Sequence, residues 1–160
     1  MSNLRIIYDN ATDRAVLTAS SQAGALGPAN LQRDAKSAVL RAAGTAQTIT
    51  ATWPTQESIG CVALIFTNMT SSACMRVRGY SQTGDAVPVL DTGSIFPCPA
   101  AVHGSYPWGV LPLGWNAYKW GGANTWARGG GADGVVWFAP VRVRRLVIEV
   151  SAPQSPEGYL

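Results

Sequence analysis

The sequence predicts an all-β fold, an antiparallel β-sandwich of jelly-roll type, on three observations. Only 13% of its 160 residues are charged while 47% are hydrophobic, and 17 Gly and 10 Pro punctuate the chain. That balance lies far from the profile of a disordered chain and suits short strands joined by turns. Residues 47–53 alternate between apolar side chains and threonines, the period of two that marks a half-buried strand. About eight short runs of strand character are separated by turn chemistry, with no convincing amphipathic helix among them. A chain of this length is most simply one domain spanning residues 1–160, able to bury roughly 70% of the surface its unfolded form exposes.

The elements follow in order. Leu4-Arg-Ile-Ile-Tyr8 is β-branched and aromatic and closes at Asp9-Asn10, and Ala15-Val-Leu-Thr-Ala19 opens after Asp13, so both read as strands. Residues 20–34 carry Ser, Gly, Pro and Asn, including Gly27-Pro28, which is loop chemistry. Helix propensity alone would allow a helix over residues 29–43, but a loop followed by a strand at Ser37–Arg41 fits better. Gln47-Thr-Ile-Thr-Ala-Thr-Trp53 places Ile49, Ala51 and Trp53 on one face and its threonines on the other. Ile59-Gly-Cys-Val-Ala-Leu-Ile-Phe66 is apolar throughout, as in a central strand covered on both sides, and ends at the turn residues 67–72.

Met75-Arg-Val-Arg-Gly-Tyr80 alternates again and stops at Ser81-Gln-Thr-Gly-Asp85. Residues 87–136 form a long Pro-, Gly- and aromatic-rich segment, in which Val135-Val-Trp-Phe138 is the next credible strand; connections of such length are usually functional or interface-making. The strand at residues 141–150 slips phase at Arg145, so that Leu146, Ile148 and Val150 share one face, which reads as a bulge near a sheet edge. The sequence then stops at Tyr159-Leu160 as another strand should begin, which predicts a partner that completes the sheet.

Charge and cysteine usage narrow the function. The net charge of +3 is mild and the twelve Lys and Arg are dispersed apart from Arg142, Arg144 and Arg145, so nucleic-acid binding is not expected. Neither a secretory signal after Met1 nor an apolar run near eighteen residues is present, which argues against membrane insertion and for folding in a cytoplasm. Cys61, Cys74 and Cys98 are odd in number and scattered, and read as reduced thiols. With one histidine, His103, they offer no metal-ligand spacing, and no metal or other cofactor is expected.

Read in order, several pieces together carry a resemblance. They are Asn3-Leu-Arg-Ile-Ile-Tyr-Asp-Asn10, Ala29-Asn-Leu31 with Asp34, Lys36-Ser37, Val39 and Arg41, then residues 49–53, Val62-Ala-Leu64 with Thr67-Asn68, and Met75-Arg-Val-Arg-Gly-Tyr80. Leu90-Asp-Thr-Gly93, Leu113-Gly114, Asn116, Gly121-Gly122, Trp137-Phe138, Leu146-Val-Ile-Glu149, Pro156 and Gly158-Tyr159 continue it. The whole resembles the N-terminal module of tailed-bacteriophage tail-tip (baseplate) proteins, whose fold is similar to the discoidin, or galactose-binding-like, jelly roll. Leu40 stands where that family would place an aromatic, and its members usually continue past the Gly-Tyr strand into a further domain. The resemblance implies a structural, non-enzymatic virion component, made in the host bacterial cytoplasm and placed at the tail tip. It would pack in several copies against other tail and baseplate subunits.

The candidate site residues fall in two groups. Between Tyr106 and Trp126 lie four of the six tryptophans, and Tyr106, Trp108, Trp115, Asn116, Tyr118, Trp120 and Trp126 are candidates for glycan binding or for a subunit interface. Flat indole faces beside Asn and Gly suit stacking on sugar rings, and the discoidin-like resemblance implies glycan contact by loops at one end of the sandwich. A host cell-surface polysaccharide would then be the ligand. Burial of the same aromatics in a subunit interface is the more general use of Trp and Tyr. Arg76, Arg78, Arg142 and Arg144 are candidates for contacts with acidic sugars or a partner's carboxylates, against the alternative of solvated edge charges that discourage aggregation.

Catalytic readings are weaker. His103 has no Gly-x-Ser-x-Gly elbow to serve. The carboxylates Glu57, Asp85, Asp91, Asp133 and Glu149 are dispersed, and turn capping explains Asp85 and Asp91. Gly129-Gly-Gly-Ala-Asp-Gly134 is followed by no phosphate-loop signature and reads as a hairpin loop.

Overall fold

The computed structural model describes residues 6–35, 37–69, 73–97, 101–102, 125–126, 132–153, 155 and 157–160. Its strands are β1 (Val16–Ala19), β2 (Ala46–Thr67), β3 (Cys74–Tyr80), β4 (Leu90–Asp91), β5 (Ala101–Val102), β6 (Thr125–Trp126) and β7 (Ala132–Ser151). All pairings are antiparallel: a five-stranded sheet in the order β1-β2-β7-β3-β4, and a separate β5-β6 ladder. Short 3-10 turns at Ala11–Arg14 and Pro28–Gln32 flank β1 and its following loop. No helix among the described residues is long and apolar enough to cross a membrane.

Two strands build both layers. β2 and β7 pair from Ala46↔Ser151 to Thr67↔Ala132, and straight strands of 22 and 20 residues would each run for roughly 70 Å, far beyond the size of a small domain. The ladder instead breaks between Thr52 and Glu57, between Ile59 and Cys61, and between Leu64 and Thr67. Two breaks coincide with prolines: Pro54 lies inside the first, and Pro140 lies opposite the second. A proline has no N–H to give to a ladder, so bulges collect there and bend the strands.

The bend folds β2 back on itself. Asn68, just past its end, donates to the Tyr159 carbonyl at 3.0 Å, while Leu160 donates to the Gly44 carbonyl at 3.1 Å, just before its start. One core joins the halves: Gln47, Ile49, Ala51 and Trp53 are buried from the first, Ile59 and Val62 from the second, and Val143, Leu146, Ile148 and Val150 come from β7. Met75 and Val77 of β3 complete it. The expected alternation over residues 47–53 is therefore what the structure shows, with Thr48, Thr50 and Thr52 turned outward. The result is an antiparallel β-sandwich, as the sequence predicts.

Several expectations are corrected. The strand expected at residues 4–8 is not formed at Ile6–Tyr8, where Ile6 is 68% and Tyr8 93% exposed; Leu4 and Arg5 lie outside the described residues. The strand expected at Ser37–Arg41 is replaced by loop bonding, because Asn30 Nδ2 donates to the Val39 carbonyl at 2.9 Å and Arg41 bonds with Leu26 and Ala23. Residues 59–66 are not covered on both sides at their end, where the successive residues Ile65 and Phe66 are both exposed, and they continue β2 across the proline bulge as one strand. Residues 135–138 and 141–150 likewise form one strand.

The phase slip at Arg145 is present, but β7 lies at the centre of the sheet and not at its edge. Tyr159 and Leu160 do not start a strand awaiting a partner. Their backbone bonds to residues 42, 44 and 68 of the same chain, and the Arg41 guanidinium sits 3.7 Å over the Tyr159 ring.

Candidate functional site

Two exposed surfaces bring polar and aromatic groups together. The first is the outer face of the five-stranded sheet, where register sets the neighbours: Thr48, Glu149 and Arg76 form one row, and Thr50, Val147, Arg78 and Asp91 the next. Arg76 holds Asp91 with a forked pair of bonds at 2.9 and 2.6 Å, and the Gly93 amide donates to the same carboxylate at 2.9 Å. The Arg76 guanidinium, then the Gly93 amide, keep the Asp91 carboxyl well below its ordinary range, and the carboxylate in turn raises Arg76. Arg78 Nη2 donates to Glu149 Oε1 at 2.5 Å. A shallow hollow of about 370 Å³ opens on this face, lined in part by Ser20, Thr48, Arg76, Ser94 and Glu149. Fixed alternating donors and acceptors beside hydroxyls can hydrogen-bond a polyhydroxylated ligand.

At the bend, arginines serve the fold. Arg145 lies 4.0 Å over the Tyr80 ring and donates to the carbonyls of Thr83 and Asp85 at 2.6 Å each, pinning the turn in which Asp85 accepts from the Gln82 amide. Arg144 reaches the Gln82 side chain at 3.2 Å and the Trp53 carbonyl at 3.5 Å.

The second surface is the outward side of the β2–β7 ribbon. Gly60 opposes the three residues Phe138–Pro140, and the bulge turns both Ala139 and Pro140 outward. A Cβ on Gly60 would stand 3.4 Å from Pro140 Cγ, in van der Waals contact with the ring. Trp137, 38% exposed, lies next to this bulge, and a hollow of about 500 Å³ is lined by Gly60, Trp137, Phe138, Ala139 and Pro140.

The structure separates the residues singled out from sequence. Arg76 and Arg78 share the outer sheet face but are committed to Asp91 and Glu149, so they are not edge charges; β3 lies inside β4. Arg142 and Arg144 part company, Arg144 turning into the bend while Arg142 stays exposed. Tyr106, Trp108, Trp115, Asn116, Tyr118 and Trp120 lie outside the described residues, as do His103 and Cys98; the backbone of Trp126 pairs with Ala101 in the β5-β6 ladder. That ladder brings together the two ends of the segment that carries them.

Of the carboxylates considered for catalysis, Glu57 accepts from Arg14 at 3.1 Å, Asp91 and Glu149 are held as above, and Asp85 caps its turn. Among the described residues no three His, Cys, Asp or Glu side chains gather around a common point. Two groups escaped the sequence reading. Trp137 was read only as part of a strand, and its exposure depends on the bulge. Gln47, 5% exposed, accepts from Ser20 Oγ and from the Ser21 amide and hydroxyl, and donates to the Ser21 carbonyl at 2.7 Å.

Neither a protein-family model nor a curated protein sequence matches the chain. Solved structures do. Chitosan-binding module 1 of a chitosanase/glucanase from Paenibacillus sp. IK-5 superposes with a TM-score of 0.57 at 14% identity, over 95% of this chain and 93% of that one. The family 32 carbohydrate-binding module of NanJ from C. perfringens, solved in complex with galactose, gives 0.55 at 11% identity over 92% and 88%. A further family 32 module from Clostridium perfringens, solved with GalNAc-beta-1,3-galactose, gives 0.52 at 10% identity over 92% and 90%. The chain has the discoidin-like β-sandwich fold of these modules.

Proposed function

We propose that the chain is a non-catalytic module that binds carbohydrate through exposed aromatic and polar groups on its sandwich. The observation that carries this reading is the near end-to-end correspondence with modules solved as chitosan- and galactose-binding units, 95% of this chain on 93% of the first. Two features support it: an outer sheet face of fixed Arg–carboxylate pairs beside threonines, and a tryptophan-rich segment whose ends are tied by β5 and β6. The ligand would be a polysaccharide of a cell surface. The test is retention on a panel of immobilised polysaccharides, for the chain and for Trp115→Ala and Trp120→Ala. Retention of the parent on at least one polysaccharide, weakened roughly tenfold by either substitution, is expected; no retention on any member refutes the reading.

A second reading, a structural subunit of a virion tail tip made in the bacterial cytoplasm and contacting other tail subunits in several copies, is favoured by exposed apolar side chains. Ile6 is 68%, Tyr8 93%, Val87 77% and Phe96 62% exposed, apolar side chains that protein partners would cover. Loss of particle assembly in Trp115→Ala and Trp120→Ala would support this role. Intact particles that no longer adsorb would support the glycan-binding one.

A further inference from the structure

We infer that the ribbon carries a subsite for acidic sugars, built from Trp137 and Arg142 on either side of the Pro140 bulge; this rests on the glycan-binding reading above. Along β7 the exposed positions are 135, 137 and 139, then 140 and 142, so the bulge shifts the alternation by one. Trp137 and Arg142 thereby face the same solvent side, with the hollow between Gly60 and Pro140 adjoining the indole. The floor is apolar and has no side chain at Gly60, which leaves room for a pyranose ring to lie against the indole face.

Charge decides the class of sugar. Arg14, Arg76 and Arg78 are neutralised by Asp9, Glu57, Asp91 and Glu149. Arg144 and Arg145 are bound to carbonyls or an amide, and Arg41 lies over Tyr159. Among the described arginines only the Arg33 and Arg142 guanidinium groups have no hydrogen bond, ion pair or aromatic contact with the rest of the chain. Arg33 sits in the loop after Pro28–Gln32, whereas Arg142 follows the Trp137 bulge on the same strand. An uncommitted guanidinium on the same exposed side of the strand as a stacking platform matches a sugar carboxylate, which it can hold by a forked pair of bonds. The occupant is therefore a uronic or other carboxylated sugar in a polysaccharide.

The test titrates the full chain calorimetrically with a panel of oligouronates and sialylated oligosaccharides, and with the same compounds after carboxyl reduction. At low salt the chain should bind at least one acidic compound roughly tenfold more tightly than its reduced form, the preference shrinking as salt is raised. Arg142→Gln should bring that ratio to about one while leaving the affinity for the reduced compound unchanged, Trp137→Ala should weaken both roughly tenfold, and Arg33→Gln should change neither. Binding of reduced or neutral sugars without an acidic preference, or a preference that survives Arg142→Gln, overturns the inference and leaves the glycan-binding reading standing. Polyglutamate binding as tight as the best acidic sugar overturns the assignment to a glycan. Failure to bind any sugar, acidic, reduced or neutral, removes both.

Discussion

Gly79 of β3 packs tightly against its neighbours in β7 and β4, and replacing it with alanine tests that packing directly. A Cβ there would lie 2.8 Å from Val143 Cγ1, 3.2 Å from Leu90 Cβ and 3.6 Å from Leu146 Cδ1. Val143 is 0% exposed and β-branched, so its side chain has no free rotamer to swing into, and Leu90 Cβ moves only with the backbone of β4. Overpacking of this kind costs about 1–3 kcal/mol. In an open strand, Gly→Ala would instead stabilise by roughly 0.4–1 kcal/mol through the unfolded chain, so the sign itself is informative. A loss of about 2 kcal/mol corresponds to a fall of roughly 4–8 °C in Tm for a chain of this size.

Val143→Ala supplies the second arm. Alone it should cost about 2 kcal/mol for the cavity it leaves. Combined with Gly79→Ala, the new methyl enters the vacated space, and the double variant should be less destabilised than the sum of the two by at least about 1 kcal/mol. Urea unfolding at constant m-value reads all four proteins. A neutral or stabilising Gly79→Ala, or strictly additive losses, would refute the packing described for β3 against β7.

Two other predictions concern polar groups. Gln47→Leu should lower stability by roughly 2 kcal/mol, because the Ser21 amide and carbonyl lose their partners where the loop meets the core; a neutral result in thermal unfolding would show that water replaces the side chain there. Asp91→Asn should lower Tm at neutral pH. Because the folded Asp91 carboxyl lies below the ordinary aspartate value of 3.8, its contribution is complete above that value and is lost as pH falls through the folded one. The difference in Tm between parent and Asp91→Asn should therefore stay level from about pH 7 to pH 5 and shrink only below about 3.8. Shrinkage already between pH 7 and pH 5 would contradict the Arg76–Asp91 fork.

What could be read from the residues and what could not divide along a physical line. Alternation in residues 47–53 and 75–80 was legible because each run has one buried and one solvated face, so side-chain chemistry reports the sheet directly. The same cue made Gln47 invisible: a glutamine in the inward row looks like a strand end until Ser20 and Ser21 are seen to satisfy it. Residues 47–53 and 59–66, like 135–138 and 141–150, read as separate strands, yet each pair runs on as one through a bulge at Pro54 or Pro140, a distinction that depends on how the ladder resumes across the partner. The partners of Arg76 and Arg78 lie 15 and 71 residues away, and only the register of β3 with β4 and β7 chooses Asp91 and Glu149. Trp137 is an unremarkable strand residue until the bulge beside it fixes which way the ring faces. The sandwich class was accessible because it needs only the pattern of strands and turns; the site was not, because it is made by register.

The central claim is that this sandwich binds a glycan and returns it unchanged, and a single nuclear magnetic resonance titration addresses it. Backbone and indole N–H resonances of the uniformly labelled full chain are followed as oligosaccharides from the panel are added, with the sugar signals recorded in the same tube. Binding without catalysis requires saturable shifts confined to one surface of the chain and sugar spectra that stay intact for days. Resonances indifferent to every oligosaccharide, or a sugar that is steadily cleaved, would contradict it.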